Sequence, residues 1–308
     1  MEYELKVFSI SEIGKRANQE DSIYPALGNA DDNDRLFVLC DGMGGHAAGE
    51  VASSTVCKVM SNYIMANVVG TSFDEDDFAK ALSASYDALD ANDNCEENKM
   101  GTTLTFLKFH DKGCFVAHIG DSRVYHIRPS EIGQARIVFV TRDHSLVNDL
   151  VELGELTPEQ AKTSRQRNVI TRAMQPNQER RDKADIKHIT DIHSGDYFYM
   201  CSDGMLEQMD DMELADILSL EGYSDDEKMD IILEQTSDNK DNHSAHLIHV
   251  IDVSDVTMLG DKTINQDTCA ESNRSRTLNK VVILLIFAII VFVIFYFASD
   301  WIFKFLNK

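Results

Sequence analysis

The stretch Arg35–Ala52, RLFVLCDGMGGHAAGEVA, constrains the fold more than any other. An apolar run ends in Asp41, glycines follow at 42, 44 and 45, and a run of small residues suited to a helix comes next. This order predicts strand, tight turn, helix. The glycines let the backbone take positive φ and let main-chain oxygens approach a bound ion, with Asp41 placed where a strand leaves the core. Taken alone it is an ordinary Asp-Gly turn. The pattern recurs, however: CFVAHIG runs into Asp121 and Ser122, and DYFYMCS runs into Asp203 and Gly204. Apolar strands thus deliver one carboxylate each, followed by a small residue. At the ends of neighbouring strands these groups would repel one another by roughly several kcal/mol in a partly buried site. A cation is the natural partner, and oxygen-only donors point to Mg²⁺ or Mn²⁺.

The 308 residues, 43% of them hydrophobic, suffice for one large or two ordinary domains with a substantial core. A balance of 29 basic against 52 acidic residues, net −23, disfavours nucleic acid and anionic surfaces as partners and concentrates divalent cations. Acidic runs such as Asp74–Asp77 and Asp225–Glu227 read as solvated helix starts. The six cysteines form no CxxC or paired spacing, which suits a reducing compartment and core positions. Nor does any of them carry an arginine six residues on, so a cysteinyl-phosphate mechanism is disfavoured.

In chain order, Glu2–Ile10 alternates as a strand and leads into GKRANQEDS, where Arg16 stands shortly before Glu20 and Asp21. Arginine offers a planar fork for phosphate, although a surface ion pair is the simpler reading of that loop. Helices are expected over 49–68 and 73–89. The runs GTTLTFLKF, CFVAHIG, RVYHIR and ARIVFV follow at close spacing, which predicts an antiparallel meander. Residues 141–174 are polar and helix-leaning, with a break at Gly154 and a capping signal at Thr157 and Gln160; they read as helical cover or as a substrate-facing flap. Strands resume at 185–190 and 196–202, helices at 211–220 and 224–235, and a last strand at 245–253. His243, His246 and His249 recur every third residue, but on a strand His246 and His249 face opposite ways, which disfavours a histidine metal site. His46 and His144 lie near the acidic turns, where a neutral hydrogen-bonded role is favoured over proton transfer.

After Asp252 the composition changes. Residues 254–280 are polar and aperiodic, a flexible linker. Val281–Ala298 is an uninterrupted apolar run, about 27 Å long as a helix, and Trp301–Phe303 extend it with an interfacial aromatic, so a transmembrane helix is expected over 281–303. With no signal sequence in the chain and no disulfide pattern, the large domain is expected in the cytoplasm, tethered by a single-pass C-terminal membrane anchor.

RANQEDS, DGMGGHAAGEVAS, GTTLTF, HIGDSRVYHIR, TRDHSLV, RNVITRAM, SDGMLEQ and DNHS, in that order over residues 1–253, together resemble the metal-dependent protein phosphatases of the 2C type, particularly their bacterial serine/threonine branch. The resemblance implies an α+β fold, a four-layer α-β-β-α sandwich with two central antiparallel sheets and a metal cleft at one end. It implies that Asp41 bridges two ions, that the Gly42 carbonyl ligates the second, and that Asp203 and Asp241 complete the first. Glu20 and Asp21 match the family's acidic pair, Asp121 matches the carboxylate able to share a third ion with Asp203, and Arg16 matches the phosphate-binding arginine. The implied reaction is dephosphorylation of phosphoserine and phosphothreonine proteins by a metal-bridging hydroxide. A cognate serine/threonine kinase is the implied counterpart. Two features depart from the commoner pattern: Met43, where many relatives carry a histidine, cannot donate a proton, and DNHS replaces DN-apolar-Thr while keeping Asp241. The competing reading is a non-catalytic phosphoprotein-binding module on the same fold, and its discriminator is loss of ligand carboxylates.

Overall fold

Apolar runs that the sequence marks as strands pair into two antiparallel sheets. The computed structural model of the chain describes residues 1–44, 48–93, 100–129 and 136–254. One sheet has the order β1 (Glu2–Glu12), β11 (His243–Ser254), β10 (Tyr197–Cys201), β7 (Arg123–Arg128), β8 (Arg136–Val140). The other runs β2 (Asp21–Tyr24), β3 (Leu36–Met43), β5 (Leu104–His110), β6 (Gly113–Ile119), β9 (Asp185–Ile189), with the short β4 (Gly101–Thr102) paired to β3.

Side-chain alternation sets the layers. Phe37 and Leu39 of β3 point between the sheets, where they meet Phe198 and Met200 of β10 and Ile248 and Val250 of β11. Their neighbours Val38 and Cys40 point the other way, onto α1 (Ala48–Asn67) and α2 (Glu75–Asn92). The first sheet turns Tyr197, Tyr199 and Leu247 outward against α5 (Asp211–Leu218) and α6 (Asp225–Thr236). The result is the expected α-β-β-α sandwich. The acidic runs lie where the helix dipole favours them: Asp74 caps α2 by accepting from the Asp77 amide, and Asp225–Glu227 form the first turn of α6. Between β8 and β9 lie α3 (Leu146–Glu152) and α4 (Pro158–Thr163), the latter opened by a Thr157/Gln160 capping box.

Two expectations need correcting. The four runs from 101 to 140 do not form one meander. β5 pairs with β6 and β7 with β8, but β6 and β7 belong to different sheets, and the chain changes sheet at Gly120, whose φ is +109°. The strands that deliver Asp41, Asp121 and Asp203 are therefore not neighbours: β5 separates β3 from β6, and β10 lies in the facing sheet. At the other end of the domain β11 continues through Ser254, the first residue of the expected linker. The rest of that linker and the 281–303 span lie outside the described residues. Among the described residues no helix is long and apolar enough to cross a membrane.

Candidate active site

The site forms where β3 and β6, the entry to β2, and the junctions after β10 and before β11 come together. Asp41 is locked near the end of β3: its amide donates to Thr103 Oγ1 at 2.9 Å, and its carbonyl accepts from the Thr103 amide at 2.8 Å and from Thr102 Oγ1 at 2.9 Å. Asp21 stands directly opposite it across the β2–β3 ladder. Gly42 has no positive φ. Its requirement is closeness, since a Cβ there would lie 2.2 Å from the Gly49 carbonyl oxygen of α1. Among the glycines of this turn, Gly44 is the one seen at positive φ, +133°, and Gly45 lies outside the described residues.

The two sheets are joined at the site by Ser202, which donates from Oγ to Asp21 Oδ2 at 2.8 Å and receives the Ser244 amide at 3.0 Å. Asp203 follows at once and opens a 3-10 turn, Asp203–Leu206, in which Gly204 packs against the Asn242 carbonyl so closely that a Cβ would lie 2.0 Å away. Asp241 precedes β11 and pairs with Arg16 at 2.5 Å, Nη2 to Oδ2. Asp121 follows β6 and lines a cleft of about 860 Å³ together with Asp203 and Asp241. Glu20 is placed through its main chain: its amide donates to Asn242 Oδ1 at 2.8 Å and its carbonyl accepts from the Gly42 amide at 3.1 Å. Its carboxylate makes no hydrogen bond or ion pair with a described residue, yet it lies near enough to Arg16 to favour the guanidinium charge.

The carboxylates feel one another strongly. Burial, with Asp203 and Asp241 adding to it, pushes Asp21 up to about 7. Burial, Asp203 and Asp143 do the same for Asp121, also to about 7. Asp41 is pushed well above the usual carboxylate range by desolvation and by Asp21, Asp203, Asp121 and Asp241, and Asp203 is raised by burial and Asp241. Such a cluster keeps its charge only beside a compensating cation. Two of its oxygens, Asp21 Oδ1 and Asp121 Oδ1, are buried without a hydrogen-bond partner. The donor set is oxygen throughout, and it fits a hard divalent ion.

The protein phosphatase 2C model matches residues 11–243. The chain belongs to the protein phosphatase 2C family. It is 34% identical over 205 residues to the serine/threonine protein phosphatase PstP of Mycobacterium tuberculosis, a match that covers 67% of this chain and 37% of PstP, so the chain spans little more than a third of that relative. It is 32% identical over 218 residues to the protein phosphatase PhpP of Streptococcus pneumoniae, covering 70% of this chain and 85% of PhpP. Among solved structures, the catalytic domain of PstP in complex with two manganese ions superposes with a TM-score of 0.64 at 31% identity, over 80% of this chain and 99% of that one.

Within this phosphatase 2C fold, one trio of metal-capable side chains among the described residues brings its ligand atoms within 4.8 Å of one another: His118, His144 and Asp185. It is not drawn from the acidic cluster. Its hydrogen bonds argue against an ion. His144 Nδ1 accepts from the Gly120 amide at 3.0 Å, which leaves the proton on Nε2, 3.2 Å from Asp185 Oδ2. Arg172 already supplies the positive charge, 2.9 Å from Asp185 Oδ1. His118 Nε2 meets the Arg142 carbonyl at 2.9 Å. His144 is thus a neutral hydrogen-bonded histidine, with burial holding its pKa below the ordinary value, and it fixes the turn before Asp121. His243, His246 and His249 likewise take separate partners: the Asp241 carbonyl, Ser9 and Asp225.

Charge-directed reading of the sequence missed Asn242. Its Nδ2 donates to the carbonyls of Ile13 and Asn18 at 2.9 and 3.0 Å while Oδ1 receives the Glu20 amide, so one 5% exposed amide side chain holds the whole Arg16 loop against Asp241. Asp143 was missed as well. It sits beside Asp121 and Asp203 and is gripped by Arg123 through two bonds of 2.7 Å. Its signal was the Arg-Asp pair of TRDHSLV, directly after a strand.

Proposed function

We propose that this chain is a Mg²⁺- or Mn²⁺-dependent serine/threonine phosphoprotein phosphatase. Its catalytic domain runs through the end of β11 at Ser254, and a linker from there to residue 280 and a membrane helix over 281–303 hold that domain at the cytoplasmic face of a membrane. The observation that carries the reading is the gathering of Asp21, Asp41, Asp121, Asp203 and Asp241 into one mutually repelling cluster, three of whose members, Asp121, Asp203 and Asp241, line the cleft, with Arg16 paired to Asp241. The likeness to PstP, a serine/threonine protein phosphatase, supports the substrate class, and the likeness to PhpP, a protein phosphatase, supports a protein substrate.

Asp41, the Gly42 carbonyl, Asp203 and Asp241 would hold two ions, with Glu20 and Asp21 completing their shells and Asp121 sharing a third with Asp203. When bound, the ions supply activation of the attacking water and neutralisation of the phosphoryl charge. The chain's own residues do the rest. Arg16, carried on the loop that Asn242 pins, offers a planar fork to the phosphoryl oxygens and orients phosphorus toward the carboxylate cluster. Thr103 and Ser202 fix the Asp41 main chain and the Asp21 carboxylate, so the acids need not reorganise as charge develops. Met43 cannot act as an acid. His144 has both ring nitrogens engaged, so it does not fill that part.

The test is release of phosphate from a phosphothreonine peptide with Mn²⁺ and with excess EDTA. Release with Mn²⁺ alone supports the reading, and equal release in EDTA contradicts metal dependence. No release from a folded, metal-loaded chain favours the non-catalytic binding module.

A further inference from the structure

Residues 162–183 run against the charge of the rest of the chain. In a protein of net −23 this segment carries Lys162, Arg165, Arg167, Arg180 and Lys183, together with Arg172 and Arg181, against Glu179 and Asp182 alone. Arg172 and Arg181 are committed within the fold, the first to Asp185 at 2.9 Å and the second to Asp87 and Asp90 at 2.6 and 2.7 Å. The other five are exposed, and none makes an ion pair or a side-chain hydrogen bond with a described residue. Lys162 lies one turn from Glu159 and favours its charged form at a distance, without forming a salt bridge.

Lys162 and Arg167 stand in the wall of the cleft that also holds Asp121, Asp203 and Asp241. The lining also includes Glu207, Asp210 and Asp211, but each of these acids already has a partner. Glu207 receives the Lys240 amide at 2.5 Å, Asp210 caps α5 through the Met212 and Glu213 amides at 2.8 and 2.9 Å, and Asp211 takes Arg123 and Tyr125 at 3.0 and 2.8 Å. The charged side chains of the lining that are left with neither a hydrogen bond nor an ion pair to a described residue, away from the carboxylate cluster, are the two cations. At about 860 Å³ the cleft is also far larger than a phosphoryl group requires, so it has room for chain on either side of a phosphorylated residue.

We infer that Lys162 and Arg167 form a substrate-recognition surface that receives Asp or Glu side chains flanking the phosphorylated residue of a protein substrate. The inference rests on the phosphatase reading above and names the substrate class of the same site. Exposed cations of this kind act through association and orientation, so they change selection among peptides and leave the bond-breaking step alone. An acidic protein that must bind an anionic substrate needs such a patch, because the remainder of its surface repels that substrate.

The experiment compares the full native chain with Lys162→Glu/Arg167→Glu on three Mn²⁺-dependent substrates: a phosphothreonine peptide flanked by Glu, the same peptide flanked by Gln, and p-nitrophenyl phosphate. The native chain should prefer the Glu-flanked peptide in kcat/KM by roughly tenfold, and charge reversal should remove or invert that preference. Turnover of p-nitrophenyl phosphate should be unchanged. The milder Lys162→Gln/Arg167→Gln variant should fall between the two. Raising salt from about 0.05 to about 0.5 M should erase the native preference, because screening shortens the reach of exposed charges. Equal kcat/KM for the two peptides in the native chain, or a preference that survives charge reversal, overturns the inference. Turnover of none of the three substrates by the native chain overturns the phosphatase reading itself.

Discussion

Asn242 has no charge and no part in the chemistry, yet three carriers of the site hang on it. Its side chain joins the Ile13 and Asn18 carbonyls and the Glu20 amide, and its own amide donates to Asp241 Oδ1 at 2.9 Å. Removing it frees the loop that carries Arg16 and leaves buried main-chain groups unpaired, a cost of about 1–3 kcal/mol. Asn242→Ala should therefore raise KM for p-nitrophenyl phosphate about tenfold and lower kcat less. Because it acts through Arg16, its effect on KM should largely vanish in an Arg16→Ala background. Additive effects of the two substitutions would show that Asn242 is merely structural. Gly204 makes a second residue-scale prediction. With a Cβ 2.0 Å from the Asn242 oxygen, Gly204→Ala must push the 3-10 turn away from the start of β11, and thermal denaturation should show a loss of about 2 kcal/mol or more. An unchanged melting temperature would mean the turn can shift freely.

Among the elements, the tie between β7 and the entry to β10 carries a pH dependence. Asp196 is fully buried and accepts from Arg128 at 2.7 and 2.9 Å and from the His193 amide at 2.8 Å, and it meets His126 at 2.8 Å. Burial alone would raise its pKa; the Arg128, His126 and His193 hydrogen bonds outweigh it and hold the group at about 2. A folded pKa below the unfolded value gives stability that is present above the unfolded pKa and lost as pH falls through the folded one. The native chain should exceed Asp196→Asn by about 2 kcal/mol near neutral pH, and the gap should shrink between about pH 4 and pH 2. Urea denaturation at several pH values measures this, and a gap independent of pH would contradict it. The elements themselves were largely legible, because caps at Thr157 and Asp74 and turns at Gly120 and Gly154 punctuate the chain. Which sheet each strand joins was not. β6 is buried on both faces, so its residues show no alternation that would reveal the change of sheet after it. Asp41, Asp121 and Asp203 declared themselves by repetition, whereas Arg16, Glu20, Asp21 and Asp241 took their meaning from the family motifs. Asn242 and Ser202 gave no signal, since neutral side chains bonded to groups some 180 to 230 residues away leave no local pattern.

At the scale of the whole molecule, the proposed enzyme is an acidic phosphatase with a cationic flap and a membrane tether over residues 281–303. If residues 281–303 span a bilayer, the full chain should sediment with neutral phosphatidylcholine vesicles, while a chain cut after residue 256 should stay in the supernatant. Equal partitioning of the two would contradict the tether and leave the catalytic reading intact. That reading depends on the carboxylates acting as one metal-holding unit, in which Asp203 helps push Asp41 above the usual carboxylate range and is itself raised by burial and by Asp241. The most direct measurement is Mn²⁺-dependent phosphate release from a phosphothreonine peptide by the native chain and by Asp203→Asn, with folding of both checked by circular dichroism. The account predicts release by the native chain, none in EDTA, and none by the folded variant. Native-like turnover by Asp203→Asn would contradict it.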